Sequence, residues 1–313
     1  MWIKSCIISF IIAAVCEPVL IPFLRRLKFG QTILEDGPTW HGKKQGTPTM
    51  GGIAFIVSVV VASLFFVRDI RGGAILLCGV LFGVIGFIDD YIKVVKKQNK
   101  GFSASQKFLA QTVVSFTYAI FLYLQFGQTQ TRIPFTDVTF DLGIFYIPFV
   151  MLVLLATTNS ANLTDGLDGL AASVGSIVSL FFAVALASLA GHSEGSVIAG
   201  ALTGGLLGFL IYNAYPAKVF MGDTGSLFIG GMIAAVAISA GLELFIIVSA
   251  FVFLFEALSV IIQVGVYKKT KKRVFKMAPV HHHFEMCGWK ETKVVALFSI
   301  ITLILCTICY MAL

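Results

Sequence analysis

Ten runs of apolar residues, near 5–24, 51–67, 73–88, 108–127, 142–158, 170–190, 196–212, 226–242, 244–266 and 294–313, decide what this chain can become. Most reach the roughly 17–25 residues that a helix needs to cross the hydrocarbon core, although the third is short. In lipid every backbone N–H and C=O must find an internal partner, so only helices and closed barrels span. The runs lack the two-residue alternation of barrel strands. Composition agrees: 58% of the 313 residues are hydrophobic and 12% charged, against about 25% charged in soluble domains. The expectation is an all-α polytopic membrane protein with about ten transmembrane helices, a single integral membrane domain over 1–313.

Lys4 precedes the first run, but no A-x-A cleavage site follows before Arg25. The AAVC ending at Cys16 carries a bulky Val before the Cys, so the run is expected to stay as a helix. The six cysteines have no disulfide or zinc spacing. Cys306 and Cys309 sit in an uncharged apolar run, where packing is their expected use.

The basic residues fix an orientation. All but four of the 23 Lys and Arg fall in connections that follow odd-numbered helices; the exceptions are Lys4, Arg68, Arg71 and Arg132. The positive-inside rule puts those odd connections in the cytoplasm and both termini outside. An even helix count agrees with that placement. The net charge of +7 requires no nucleic acid, since anionic leaflets attract the same loops.

Five polar clusters follow odd helices: HGKKQGTPTMGG (41–52), FIDDYIKVVKK (87–97), NSANLTDGLDGLAAS (159–173), NAYPAKVFMGDTGS (213–226) and MAPVHHHFEMCGWKE (277–291). An active site is therefore expected on the cytoplasmic face. The outer connections are short except 128–141, where TQTRIPFTDVTFD alternates and turns like a small hairpin.

Each cluster has a plain reading beside a chemical one. Asp89 and Asp90 end the third run, which a solvated helix end would explain. Yet carboxylates at a helix C-terminus meet the unfavourable end of the macrodipole, and adjacent ones repel, so a cation or a proton is expected beside them. Lys93, four residues after Asp89, supplies part of that charge; a divalent metal would supply more. A glycine-rich turn opening helix six needs one cap, whereas Asp165 and Asp168, three apart, would share a helical face. In GDTGS one residue would cap helix eight, whose N-terminus offers free N–H groups to a phosphate. Asp223 is placed to hold Mg2+ that bridges phosphate oxygens.

KKQGTPTMGG fails the Walker A pattern, because Lys does not follow the second Gly. Its glycines still permit close backbone approach, and Lys44 adds a charge. His281, His282 and His283 are consecutive and share no helical face, so phosphate or base recognition is preferred to metal ligation. The basic run 268–276 beside them reads, taken alone, as a headgroup anchor.

In motif order, GTPTMGG (46–52), FIDDYIKV (87–94), NLTDGLDGLA (162–171), NAYPAKVFMGDTGS (213–226) and PVHHHFE (279–285) resemble the phospho-N-acetylmuramoyl-pentapeptide transferases. These are a branch of the polyprenyl-phosphate N-acetylhexosamine-1-phosphate transferases. The resemblance covers essentially the whole chain, and HHHFE points to the muramoyl-pentapeptide branch. It implies transfer of phospho-MurNAc-pentapeptide from UDP-MurNAc-pentapeptide to undecaprenyl phosphate, giving lipid I and UMP, with Mg2+. That is the first membrane step of peptidoglycan synthesis, in the bacterial cytoplasmic membrane. The resemblance also implies a homodimer, as family members form.

By the same resemblance Asp223 ligates the metal, while Asp89 and Asp90 serve the lipid phosphate, with Asp89 the favoured proton acceptor. Lys44, Thr49, Asn162, Asp165, Asp168, Asn213, Phe220, His281, His282 and His283 are carried over to the nucleotide and diphosphate site, with His281 in the catalytic set. Phe220 would stack on uracil. Lys44, Lys93, Lys97 and Lys107, together with Mg2+, would lower the repulsion between two polyanionic substrates.

Two alternatives stay open at this level. A sister transferase using UDP-GlcNAc would share the Asp motifs, with PVHHHFE arguing against it. A nucleotide-sugar or ion transporter would keep charged groups near the bilayer midplane, where the candidates are Glu17 and Glu256, each expected to be paired or near an edge.

Overall fold

The computed structural model describes residues 1–26, 44, 46–95, 101–136 and 138–313. Its long helices are α1 Trp2–Arg26, α3 Ile70–Val95, α4 Ala104–Phe126, α5 Tyr146–Thr164, α6 Leu170–Ser188, α7 Ser193–Asn213, α8 Gly222–Ser239, α10 Phe251–Thr270 and α12 Glu291–Tyr310. Shorter helices are α2 Gly52–Leu64, α9 Phe245–Ser249 and α11 Val280–Met286. Among the described residues, nine helices are long and apolar enough to cross a membrane, and α2 is a shorter apolar helix. The protein is an all-α polytopic membrane protein.

Lipid as solvent explains which face each helix buries. On α1 the exposed positions Ile3, Ile7, Ile11 and Val15 recur every four residues, while Ser5, Ser9, Ala13 and Glu17 form the buried stripe. This inverts the pattern of a soluble amphipathic helix. Small and polar side chains let helices approach and hydrogen-bond where no hydrophobic gain distinguishes lipid from protein, as the Ser9–Ser58 hydroxyl contact of 3.1 Å does between α1 and α2. Helix α8 lies at the centre, with 89% of its apolar window buried, against 28% for α1. A Cβ added at Gly86 of α3 would stand 2.0 Å from the Asp223 carbonyl oxygen, so only glycine lets the two backbones meet there.

Two helix boundaries differ from the sequence reading. The third run is not short: α3 has 26 residues and continues through Asp89, Asp90 and Lys93. Hydropathy misses that extension because its polar side chains are satisfied by other elements. The short member is instead α2, with 13 residues. The ninth run, read as one helix, is divided into α9 and α10 at Ala250.

The expected hairpin is present as β1 Gln130–Arg132 and β2 Thr139–Asp141, antiparallel, with Thr131 opposite Phe140. Arg132 N–H donates to the Gly241 carbonyl at 2.8 Å, which docks the hairpin on the connection after α8. The described residues of the polar clusters gather at the opposite end of the bundle, where α3, α5, α7 and α10 finish and α4, α6, α8 and α12 begin.

Candidate active site

The N-terminus of α8 organises the site. Its N-cap, Met221, makes no side-chain capping bond. The cap comes from α3: Asp90 Oδ1 accepts from Asp223 N–H at 3.2 Å, and Asp90 Oδ2 accepts from Thr224 N–H at 2.9 Å and from the Thr224 hydroxyl at 2.7 Å. A carboxylate at the positive end of a helix dipole is favourable. This corrects two expectations. No residue of GDTGS caps its own helix, and the N–H groups of Asp223 and Thr224 are engaged by Asp90 rather than open to a phosphate.

Asp89 faces the other way. Lys93 Nζ lies 2.6 Å from Asp89 Oδ2 and 2.8 Å from Asp223 Oδ2, so the expected pairing on α3 extends to α8. Lys107 Nζ reaches the same Asp223 oxygen at 2.9 Å. Helix α4 is started by a capping box between Ser103 and Gln106, which fixes Lys107 one turn on. The same entry into α4 turns Phe102 N–H onto Asp89 Oδ1 at 2.7 Å. Asn162, at the end of α5, donates to Asp223 Oδ1 and to Ser226 Oγ, both at 2.8 Å.

A second group adjoins the first. Lys44 Nζ lies 2.6 Å from both Asp168 Oδ1 and Glu291 Oε1. Burial alone would lower the Lys44 ammonium, but its hydrogen bonds to the two carboxylates hold its pKa above the ordinary value. Asp168 Oδ2 accepts from Ala217 N–H at 2.9 Å, and Asn213 Oδ1 accepts from Gly169 N–H at 3.1 Å. These bonds join the α5–α6 connection to the α7–α8 connection. Asp165 and Asp168 both precede α6, whose N-cap is Gly169 without a side-chain cap. Burial, and then the carboxylates of Asp223, Asp90 and Asp168, push Asp165 well above the usual carboxylate range.

Thr49 and Phe220 enter through a short backbone pairing. Phe220 N–H donates to Pro48 O and Gly51 N–H to Phe220 O, each at 2.9 Å. Thr49 Oγ1 and Asp90 Oδ2 consequently flank the Cα of Gly222. Phe220 is half-buried beside them.

Of the histidines, His281 is buried and His282 and His283 are half-buried on α11. His281 Nδ1 lies 3.1 Å from Glu256 Oε2, and its Nε2 is turned onto Gly166, leaving no room for a Cβ. His282 Nδ1 lies 2.7 Å from Glu285 Oε2. His283 Nδ1 accepts from Lys276 N–H at 3.1 Å, which turns it toward the basic run. Glu256 is thus paired, as expected, whereas both carboxyl oxygens of buried Glu17 lack a hydrogen-bond partner among the described residues. Lys97 lies outside the described residues.

Ligand oxygens of Asp89, Asp90 and Asp223 lie within 4.8 Å of one another. Asp223 and Asp89 offer hard oxygen donors that suit Mg2+, which takes one or two carboxylates and completes its shell with water and phosphate. The Lys93 ammonium between Asp89 and Asp223 marks where the carboxylates demand positive charge. Sequence reasoning missed Glu291, which ties Lys44 and the Asp168 backbone N–H to α12. Its only signal was its place just before the last apolar run, as the one acid in the first turn of α12.

The comparisons with known proteins cover this whole constellation. The model described as Glycosyl transferase family 4 matches residues 73–241, from α3 to the end of α8. A second, described as Phospho-N-acetylmuramoyl-pentapeptide-transferase signature 1, matches residues 44–56, the segment holding Lys44 and Thr49. The chain is 50% identical to a phospho-N-acetylmuramoyl-pentapeptide-transferase of Clostridium botulinum (strain Alaska E43 / Type E3), over 99% of this chain and 96% of that one. To the protein of the same description in Clostridioides difficile (strain 630) it is 48% identical, over 98% and 96%. To that of Halalkalibacterium halodurans it is 48% identical, over 93% and 91%.

Proposed function

The chain belongs to the phospho-N-acetylmuramoyl-pentapeptide transferases, and on that premise we propose a role for each group of its site. The enzyme transfers phospho-MurNAc-pentapeptide in peptidoglycan synthesis. Its donor is UDP-MurNAc-pentapeptide and its acceptor undecaprenyl phosphate, giving lipid I and UMP. The site faces the cytoplasm, where the positive-inside rule puts the Lys- and Arg-rich connections. The enzyme works as a homodimer in the bacterial cytoplasmic membrane.

The observation that carries this reading is the convergence of Asp89, Asp223, Lys93, Lys107 and Asn162 on one point at the helix ends. A lipid phosphate keeps its chain among acyl tails, so it meets a soluble nucleotide sugar only at such an edge. Lys93 and Lys107 gather the two anions and offset their repulsion. An acceptor phosphate oxygen attacks the β-phosphorus of the donor, and the bond to the UMP oxygen breaks. Asp89, held by Lys93 and the Phe102 N–H, takes a proton from the acceptor phosphate when it carries one. Asp90 fixes the start of α8 and with it the aim of Asp223.

Asp223, with Asp89 beside it, would hold Mg2+, which when bound supplies charge stabilisation to the phosphates in flight. Lys44, Thr49, Asp165, Asp168 and Asn213 receive the nucleotide and diphosphate, and Phe220 stacks on uracil. His281, fixed by Glu256 against Gly166, contacts the donor with His282 and His283. Lys97 adds positive charge for the approach of the acceptor.

The test is UMP release by the purified enzyme with both substrates and with each omitted. Release only when both are present is expected. Release without undecaprenyl phosphate would overturn direct attack in favour of a carboxylate-bound intermediate. Equal turnover of UDP-GlcNAc would overturn the choice of donor, and absence of product in detergent would revive transport.

A further inference from the structure

The end of the bundle remote from the carboxylates holds a groove that transfer chemistry does not use. One lobe, of about 400 Å³, is lined by Arg71, Phe126, the 127–130 segment, His192 and the 239–241 turn. An adjoining lobe, of about 290 Å³, shares Gln130, His192, Ala240 and Gly241 and adds Arg132. Among the described residues no Asp or Glu lines either lobe. Outside the inner connections the sequence has only four Lys or Arg, Lys4, Arg68, Arg71 and Arg132; two of these line the groove, one in each lobe.

Both arginines are half-buried and keep donors to spare. Arg71 lies with its guanidinium 4.3 Å over the Phe126 ring and donates through Nη1 to the Ser239 carbonyl at 3.1 Å. Arg132 donates through Nη2 to the main-chain oxygen of Leu313, the last residue of the sequence. Each guanidinium has five N–H groups, and Arg71 has no carboxylate partner among the described residues. The nearby acids are turned elsewhere. Glu243 accepts from Thr131 and Tyr146 behind the hairpin, both at 2.6 Å, Glu194 accepts from Arg68 N–H, and Asp69 from Gly72 N–H. Burial and then the Arg71 charge lower the His192 imidazole below its ordinary value.

We propose that this groove binds the phosphate headgroup of an anionic phospholipid, held between Arg71 and Arg132 at the outer ends of α3, α4, α7 and α8. Its level in the membrane favours a lipid over free phosphate. The groove opens where the helices end, and Ile70, Phe140, Ile144 and Phe145 are exposed at the same end, an apolar and aromatic rim suited to the headgroup boundary. Arginine matches phosphate oxygens in paired hydrogen bonds. The site is separate from the transfer site: Asp223 and Ser239 are at opposite ends of α8, about 24 Å apart at 1.5 Å per residue. A bound headgroup would tie α3 and α8 together at the end opposite their carboxylates.

The experiment is native mass spectrometry and thermal unfolding of the purified full chain in detergent, with added phosphatidylglycerol, phosphatidylcholine or inorganic phosphate. Wild type is expected to retain phosphatidylglycerol and unfold several degrees higher with it, with little response to the other two. Arg71→Gln with Arg132→Gln should weaken retention about tenfold or more, leaving UMP release in detergent within about twofold. If the double variant loses that activity, the single Arg132→Gln variant, which gives up only the contact with the Leu313 main-chain oxygen, is scored instead. Equal phosphatidylglycerol retention by wild type and the scored variant would overturn the proposal. So would an inorganic phosphate shift as large as that of the lipid, which would make the groove a free-anion site.

Discussion

Asp90 of α3 and Thr224 of α8 are joined by two hydrogen bonds to one oxygen, from the Thr224 N–H at 2.9 Å and its hydroxyl at 2.7 Å. Adjacent aspartates therefore divide the labour. Asp90 spends its lone pairs on the helix start, and Asp89 keeps an oxygen toward Lys93. Asp90→Asn is expected to lower the unfolding temperature and kcat together, since an amide offers hydrogens to N–H donors. Asp89→Asn should lower kcat by about 100-fold or more with little change in unfolding temperature. Equal thermal shifts in both variants would contradict the division. Thr224→Val should cost about 1–2 kcal/mol of stability.

Glu291 holds Lys44, the residue proposed to receive the donor diphosphate. Glu291→Gln should raise the KM for the nucleotide sugar about tenfold while kcat changes little, the pattern of lost ground-state binding. Lys44→Ala should do the same more strongly. Steady-state kinetics with the acceptor saturating separates this from a kcat effect, which would assign Glu291 to the chemical step.

Gly86→Ala puts a methyl group 2.0 Å from the Asp223 carbonyl, which is backbone and cannot swing aside. Parting α3 from α8 should cost about 3 kcal/mol and widen the gap between Asp89 and Asp223. A variant with wild-type unfolding temperature and turnover would show that the close approach is dispensable.

Glu243 provides a pH test away from the site. Burial is the main cause that raises its carboxyl from 4.5 to about 7, against the hydrogen bonds from Thr131 and Tyr146. The raised folded value means that the unfolded chain ionises first. The stabilising contribution is full below about pH 4.5 and is lost as pH rises through about 7, a change of about 3 kcal/mol. Wild type should unfold at a higher temperature at pH 5 than at pH 8, and Glu243→Gln should flatten that difference. An unchanged slope in the variant would place the titration elsewhere.

Lipid makes much of this architecture legible, because a spanning segment must be apolar and any polar interruption stands out. The hairpin, the long helices and the five polar clusters were readable on that ground, and the i to i+4 spacing gave the Asp89–Lys93 pair. Partnerships between helices distant in sequence were not. Asp90 caps a helix 134 positions away, and Lys44 meets Glu291 across 247. Local periodicity carries no trace of such contacts. The extension of α3 was hidden for the same reason, since Asp89, Asp90 and Lys93 look like a helix end until α8 is beside them. The break at Ala250 lies within a run that hydropathy sees as continuous.

The most direct measurement is the Mg2+ titration of UMP release by the Asp223→Asn enzyme beside wild type. Asp223 receives Lys93, Lys107 and Asn162 at once, so an amide in its place removes the charge that gathers them and that is proposed to hold the ion. The expected result is no turnover at any Mg2+ concentration, with the protein still folded by thermal unfolding. Turnover near that of wild type, with the same Mg2+ dependence, would contradict the assignment of the transfer site.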